Sequence, residues 1–175
     1  DTFLMNTKEM KLVGVHNAEN VMAAIAIAEA MRVPRETYLN TIKNFDAIEH
    51  RIEYVATIKD VVYYNDSKGT NTDASKKALE AMENKTVLIA GGYDKGSEYD
   101  DWVEAFGDKI KCLVLLGATA DKIEETARRH GFTNIRRVKS LQEAVVTASE
   151  NADAGETVLL SPACASWDMF KSYEE

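Results

Sequence analysis

The stretch Val61–Ala78, with the sequence VVYYNDSKGTNTDASKKA, contains the signals for a strand, a loop and a helix in that order. Its first four residues are apolar or aromatic, which is typical of a buried strand. The polar segment Asn65–Asn71 follows, and then Ala74, Ala78 and Leu79 share one face of a helical pattern. In open α/β sheets, ligands bind at such loops, beside the free N–H groups that begin the helix. The stretch therefore predicts an α/β fold and a loop that can bind an anion.

The same alternation continues toward the end of the chain. The apolar segments predicted as strands are TVLIAGG (86–92), CLVLLG (112–117), Ile135–Val138 and TVLLSPA (157–163), and helical patterns separate them, with a last helix predicted over Ser166–Tyr173. Before Val61, the segment Arg51–Ile58 alternates, and Lys59-Asp60 form a two-residue turn, which predicts an antiparallel hairpin. The fold class is α/β: a Rossmann-like, mainly parallel sheet with helices on both faces and an N-terminal antiparallel hairpin.

The residues before the hairpin have a different pattern. Leu12–Val15 is a candidate strand end, Asn17 is a candidate N-cap for the apolar helix that follows, and Pro34 introduces a second helix over Arg35–Phe45. These helices are accompanied by too little sheet to form a domain alone. We therefore expect residues 1–46 to be the last part of a preceding domain and residues 47–175 to form a second one. Since the chain begins at Asp1 without methionine, we also expect it to be a piece of a longer protein.

Composition restricts the class of partner. The net charge of −8 argues against nucleic acid or an anionic membrane surface as the main partner. No apolar run approaches the roughly 20 residues of a membrane span, and no signal-peptide pattern opens the sequence. The two cysteines lie in apolar, strand-associated surroundings, so a disulfide framework is not indicated. We predict a cytoplasmic protein.

Four loops follow predicted strands and are expected at one edge of the sheet, because parallel strands end together. They are Asn65–Asn71, Gly91–Ser97, Gly117–Asp121 and Ser161–Ser166. Lys68, Thr70, Lys95 and Ser166 in these loops can converge on a carboxylate or a phosphate, with helix N-termini assisting. Each feature also has a purely structural interpretation: the glycine pair can be a tight turn, the lysines can be solvated, and Cys164 can be a core residue.

Dinucleotide binding is weakly supported, because GGYDKG is not the fingerprint GxGxxG. The pairs His16-Asn17 and His50-Arg51 flank the predicted domain boundary, and such boundaries are preferred ligand sites.

Five segments together resemble the Mur ligase family. They are GVHNAENVMAAIAIA (14–28), HRIEYV (50–55), NDSKGTN (65–71), GGYDKG (91–96) and LLSPACASWDMFKSYE (159–174). The HN…N and HR motifs are shared across Mur ligases and, in part, folylpolyglutamate synthetases. The combination of NDSKxTN with SPACASxDxF is much more specific to the members that add D-glutamate. The match runs from about Met10 to Glu175.

The resemblance implies an ATP-dependent amide ligase of three domains, which forms an acyl phosphate on UDP-N-acetylmuramoyl-L-alanine and joins it to D-glutamate. It implies that residues 1–46 end the central ATP-binding domain and that residues 47–175 bind the amino acid. By the same resemblance, the nucleotide-binding residues are Asn17, Asn20, His50, Arg51 and Asp66. The D-glutamate-binding residues are Lys68, Thr70, Lys95, Ser166 and Tyr173.

ATP and Mg²⁺ are the implied cofactors. The sequence contains no GxxxxGK[ST], and the catalytic groups and magnesium ligands are expected in parts of the longer protein that are missing here, so we expect this fragment to be inactive alone. The alternatives are a domain of another Mur ligase or of a folylpolyglutamate synthetase, and a non-catalytic Rossmann-like nucleotide-binding module.

Overall fold

A computed structural model of the chain describes residues 3–46 and 48–171. It separates into two compact units, Asp1–Ile48 and Glu49–Glu175. In the described ranges, no helix is long and apolar enough to cross a membrane.

The second unit is built on a six-stranded sheet. Its strands are β1 (Glu53–Ile58), β2 (Val61–Asn65), β3 (Thr86–Ala90), β4 (Ile110–Leu115), β5 (Ile135–Arg137) and β6 (Thr157–Leu160). They lie in the order β1-β2-β6-β3-β4-β5, and every neighbouring pair is parallel except β1 with β2. The predicted mainly parallel sheet with an antiparallel hairpin is confirmed. Insertion of β6 between β2 and β3 brings its carboxyl end beside the loops that follow both strands.

The hairpin turn consists of Lys59 and Asp60, both with positive φ, of 52° and 61°. A two-residue turn of this hand matches the twist of the strands that it connects.

The sheet is covered by helices, which pack on it through small and aliphatic side chains. They are α3 (Thr72–Ala81), α4 (Asp100–Glu104), α5 (Ala120–Arg129) and α6 (Leu141–Asn151). Ala144 and Ala148 of α6 belong to a buried cluster with Val87, Ile89 and other residues that alternate along the central strands. Leu88 and Leu113 lie between members of that cluster and are fully buried as well, so both faces of the sheet are covered.

The first unit contains a short 3-10 helix (Thr7–Glu9) and two helices, α1 (Val15–Ala30) and α2 (Arg35–Asn44). The predicted strand end at Leu12–Val15 is wrong, because the chain enters α1 at Val15. Gly14, with φ of 97°, occupies the N-cap position that the sequence pattern assigned to Asn17. Asn17 lies within the first turn, and its Nδ2 donates to the carbonyl of Val13 at 2.8 Å.

The prediction of a final helix is corrected. Where a final helix was predicted from Ser166, the described residues form one turn, in which the amides of Met169 and Phe170 donate to the Ser166 carbonyl. Helix α6 begins at a Ser-x-x-Glu sequence, but only half of a capping box is formed: Ser140 Oγ accepts from the Glu143 amide, whereas the Glu143 carboxylate accepts from the amide of Lys139.

Candidate functional site at the strand ends

Hydrogen bonds join the four strand-end loops into one surface. The Ala163 amide donates to the carbonyl of Gly69 at 2.9 Å, and the Tyr93 amide donates to that of Ala165 at 2.7 Å. The loop after β4 joins the same surface, because the Thr119 amide donates to the Gly92 carbonyl at 2.9 Å. The loops predicted to share an edge are therefore in contact.

Glycine permits the closest of these approaches. A Cβ at Gly91 would lie 2.0 Å from the Leu116 carbonyl oxygen, and a Cβ at Gly92 would lie 2.2 Å from that of Ala165. Both residues also have positive φ, of 111° and 148°. The glycine pair is thus required structurally, and it allows the loops after β3, β4 and β6 to lie against one another.

Asp66 lies at the centre of the first loop and is only 4% exposed. Its Oδ2 accepts a 2.7 Å hydrogen bond from Ser161 Oγ, and its Oδ1 accepts one from the amide of Ile52 at 3.3 Å. Burial raises the pKa of this carboxyl to about 6, against the lowering effect of these hydrogen bonds and of Arg51. A Cβ at Gly69 would lie 2.2 Å from Oδ2, so the loop closes tightly over the carboxylate.

The segment His50–Ile52 is held in an unusual conformation beside this carboxylate. His50 and Ile52 have φ of 67° and 45°, and a positive φ is rare for a β-branched side chain such as that of Ile52. The carbonyl of His50 accepts from the Lys68 amide at 3.0 Å, and His50 Nδ1 lies 3.1 Å from Asn65 Nδ2. Asn65, Asp66 and Lys68 of the NDSKGTN loop thus fix the segment His50–Ile52, in which Arg51 is exposed.

On the other side of the loop surface, Lys95 reaches toward Thr70. Its Nζ lies 3.4 Å from the Thr70 carbonyl and 5.0 Å from the centre of the Trp167 ring. Trp167 is 64% exposed, and its ring packs against Tyr93 with centroids 5.5 Å apart. An exposed ammonium held between a carbonyl and an aromatic face retains donors for an anion, because lysine has three.

The turn that carries Trp167 is fixed by the side chain of the next residue. Asp168 Oδ2 accepts a 2.8 Å hydrogen bond from the amide of Ala118, which attaches the turn to the loop after β4. Ser166 is half-buried and immediately precedes this turn, so its position follows from the same attachment.

The structure thus brings Lys68, Thr70, Lys95 and Ser166 onto adjoining loops. His50, Arg51 and Asp66 form a neighbouring group in the same unit. Asn17 and Asn20 belong to the first unit, where Asn20 is exposed on α1. Tyr173 lies outside the described residues.

Covalent catalysis by a cysteine is not supported. Cys164 is 3% exposed, and its Sγ lies 3.2 Å from both the Tyr99 hydroxyl and Thr119 Oγ1. Burial raises the pKa of the thiol, which suppresses the thiolate that a nucleophile requires. Residues 3–46 and 48–171 also contain no group of three His, Cys, Asp or Glu side chains placed to hold a metal ion.

Sequence reasoning assigned no role to Ser161, Trp167 or Asp168. Ser161 is fully buried, Asp168 anchors a turn, and Trp167 contacts a predicted ligand residue through its ring. All three lie in or next to SPACAS, and the position of this segment at the end of a predicted strand is the sequence feature that could have indicated a role. Their contacts are with residues of distant loops, and hydrophobic periodicity does not predict contacts between distant loops. Ser67 was also missed: within the described ranges its Oγ is buried without a hydrogen-bond partner, in the predicted anion-binding loop.

The family model described as Mur ligase, glutamate ligase domain, matches residues 50–164, which include most of this surface. The chain belongs to the Mur ligase family. The resemblance predicted from the sequence motifs is confirmed.

Curated Mur ligases of two bacteria are similar to the whole chain. The UDP-N-acetylmuramoylalanine–D-glutamate ligase of Lachnoclostridium phytofermentans is 57% identical over 170 residues, which are 97% of this chain and 37% of the relative. The ligase of the same name from Lachnospira eligens is 53% identical over 175 residues, or 100% of this chain and 39% of the relative. The chain thus spans about two fifths of the length of these relatives.

Solved structures share the fold at low sequence identity. The UDP-N-acetylmuramate–alanine ligase of Thermotoga maritima aligns with a TM-score of 0.70 and 18% identity, over 88% of this chain and 36% of the other. A folylpolyglutamate synthase from the same organism aligns with a TM-score of 0.64 and 16% identity, over 88% and 37%. These matches show the α/β fold of the Mur ligase family.

Proposed function

We propose that the chain is the C-terminal part of an ATP-dependent amide ligase of peptidoglycan synthesis. In this reaction ATP phosphorylates the alanyl carboxylate of UDP-N-acetylmuramoyl-L-alanine, which gives ADP and an acyl phosphate. The D-glutamate amine then attacks the acyl phosphate and displaces phosphate. The observation that carries the proposal is the 47–57% identity to D-glutamate ligases over nearly the whole chain. Turnover in this pathway would take place in the cytoplasm.

The strand-end surface supports binding of a dicarboxylic amino acid. Lys68, Lys95, Thr70 and Ser166 supply two ammonium groups and two hydroxyls on adjoining loops, which suits the two carboxylates of D-glutamate. The unpartnered hydroxyl of Ser67 adds unused hydrogen-bonding capacity in the same loop. Tyr173 completes the proposed set.

His50, Arg51 and Asp66 would line the nucleotide side, together with Asn17 and Asn20 from the first unit. The proposed division places residues 1–46 at the end of the central ATP-binding domain. Helix α1 supports this division: it is largely apolar, yet it has no buried residue among those described, and Met22 and Ile27 are each 62% exposed. Such a surface is typical of a helix that packs against further protein.

Magnesium would enter with ATP, and its ligands would come from the remainder of the ligase. The acceptor nucleotide would also bind mainly there.

The proposal is tested with the full-length protein. We expect ADP formation that requires UDP-N-acetylmuramoyl-L-alanine and D-glutamate together. No turnover is expected when L-glutamate or L-alanine replaces D-glutamate, or when a folate and L-glutamate replace both substrates. Turnover with a folate, or with another amino acid in preference to D-glutamate, would assign the chain to a different ligase. The isolated 175 residues are expected to form no product, and ligase activity from them would contradict the proposed division of labour.

A further inference from the structure

A chain of buried polar groups leads from the interior of the second unit to Asp66. Trp102 Nε1 donates to Ser75 Oγ at 3.0 Å, Ser75 Oγ lies 2.9 Å from Ser161 Oγ, and Ser161 Oγ lies 2.7 Å from Asp66 Oδ2. Ser75 and Ser161 are fully buried and Trp102 is 1% exposed. Ser161 Oγ can donate its one proton to Asp66 or to Ser75, and Ser75 Oγ donates to the backbone carbonyl of Ser161 at 3.2 Å, so Ser161 is held on both sides.

The other end of this chain is the strained backbone. The second carboxylate oxygen of Asp66 accepts from the Ile52 amide, and Ile52 is itself 5% exposed with φ of 45°. A left-handed conformation at a β-branched residue persists only when surrounding contacts impose it. Asp66 supplies one such contact, and the Lys68 amide supplies another through the carbonyl of His50.

The arrangement is unfavourable for stability alone. A carboxylate buried to this extent gives up hydration that two hydrogen bonds only partly replace. An apolar or amide side chain at this position would avoid that cost. Groups that lower stability in this way are commonly retained because they fix a geometry that function needs.

We infer that Asp66 is a positioning residue: through Ser161 and Ile52 it fixes the His50–Ile52 segment, so that Arg51 is presented in one geometry to the nucleotide. This inference rests on the proposed function. It gives Asp66 a role that acts through the backbone of Ile52, in addition to any contact of its own with a ligand.

Ser161→Ala separates positioning from direct contact, because a fully buried hydroxyl cannot touch a ligand. The matched control is Thr157→Val, which removes a buried hydroxyl at the opposite end of the same strand, β6. In the 175-residue chain, hydrogen exchange of the Ile52 amide is measured by NMR. We expect exchange to accelerate about tenfold in Ser161→Ala and to be unchanged in Thr157→Val.

In the full-length protein the same two variants are compared by KM for ATP and KM for D-glutamate. We expect Ser161→Ala to raise the KM for ATP about tenfold, with a smaller change for D-glutamate and no change in Thr157→Val. Unchanged exchange at Ile52 would overturn the inference whatever the enzyme does. Accelerated exchange with an unaltered KM for ATP would overturn it too, and would remove His50 and Arg51 from the proposed nucleotide side. Absence of D-glutamate-dependent activity in the full-length wild-type protein would instead overturn the proposed function.

Discussion

The two halves of the strand-end site are built in different ways. The buried half consists of Asp66, Ser161 and Ile52, each 5% exposed or less and joined by hydrogen bonds of 2.7 and 3.3 Å. The exposed half is formed by Lys95 and Trp167, where an ammonium contacts a carbonyl at 3.4 Å and a ring centre at 5.0 Å. Buried partners fix the first half, whereas solvent and weak contacts surround the second.

This difference indicates how each half would bind. A group held by hydrogen bonds from which water is excluded has a single geometry before the ligand arrives, so little conformational entropy is lost on binding. A solvated lysine can follow the ligand but must be ordered when it binds. We therefore expect substitutions in the buried half to change stability as well as affinity, and substitutions in the exposed half to change affinity alone.

The largest expected effect is at Gly69, which closes over the buried half. A methyl group there would lie 2.2 Å from Asp66 Oδ2 and 2.9 Å from Ser161 Oγ. Because both atoms are already fixed by hydrogen bonds, Gly69→Ala should lower the free energy of unfolding by about 3 kcal/mol. Urea unfolding followed by the fluorescence of buried Trp102 measures this.

Gly96→Ala is the control for the exposed half. A Cβ there meets nothing within 4 Å, although φ is 77°, so only backbone strain of about 1 kcal/mol is expected. Equal losses in the two variants would mean that Gly69 is not under steric constraint.

The next effect concerns the pH dependence of stability. The pKa of Asp66 is about 6 in the folded chain against an ordinary 3.8, because burial disfavours its charged form. Its stabilising contribution is therefore complete below pH 3.8 and is lost as the pH rises through 6. A shift of this size corresponds to roughly 3 kcal/mol at most.

Asp66→Asn keeps the shape of the side chain and removes this titration. The variant should gain stability relative to the wild type between pH 4 and pH 7, by roughly 2 kcal/mol at the upper end. Subtraction of the two unfolding curves at each pH isolates Asp66 from other carboxyls, such as Asp100, whose pKa is lowered to about 2 by His130 and Arg129. A difference that is flat across this pH range would contradict burial of the charge.

In the exposed half, Lys95→Ala should leave stability unchanged and weaken binding of D-glutamate. Loss of one charge-assisted hydrogen bond is expected to raise the KM for D-glutamate about tenfold in the full-length protein, with little change for ATP. Lys76→Ala, on α3 outside the strand-end loops, is the matched control. If both substrates were affected equally by Lys95→Ala, Lys95 would not belong to the D-glutamate side.

The division between halves also explains what could be read from the sequence. Periodicity and turn chemistry are local, and they predicted the sheet, the hairpin turn at Lys59-Asp60 and the four loops at one edge. They did not reveal that Asp66 is buried, since its position in a polar loop indicates exposure. The burial results from β6, which is inserted beside β2 from nearly a hundred residues later.

The left-handed backbone at His50 and Ile52 was likewise not predictable. Neither residue type favours positive φ strongly enough to signal it, and the contacts that impose it come from Asp66 and Lys68. At Gly14, in contrast, the residue type itself tolerates positive φ, so the start of α1 has a local signal that competes with the N-cap pattern of Asn17. The backbone conformation at His50 and Ile52 depends on tertiary contacts, whereas the start of α1 is indicated locally by Gly14.

The smallest expected effect is at Trp167, whose ring lies beneath the Lys95 ammonium. A cation–π contact at an exposed position contributes about 0.5–1 kcal/mol, so Trp167→Ala should raise the KM for D-glutamate about two- to fivefold. Trp167→Phe retains an aromatic face and should recover part of the affinity. In the 175-residue chain, the ε-CH₂ protons of Lys95 should lose their ring-current shift in the alanine variant. If that shift disappears while the KM for D-glutamate stays constant, the ring contacts the lysine without assisting binding. Ordering of Lys95 by the ring would then make no difference to the affinity for D-glutamate.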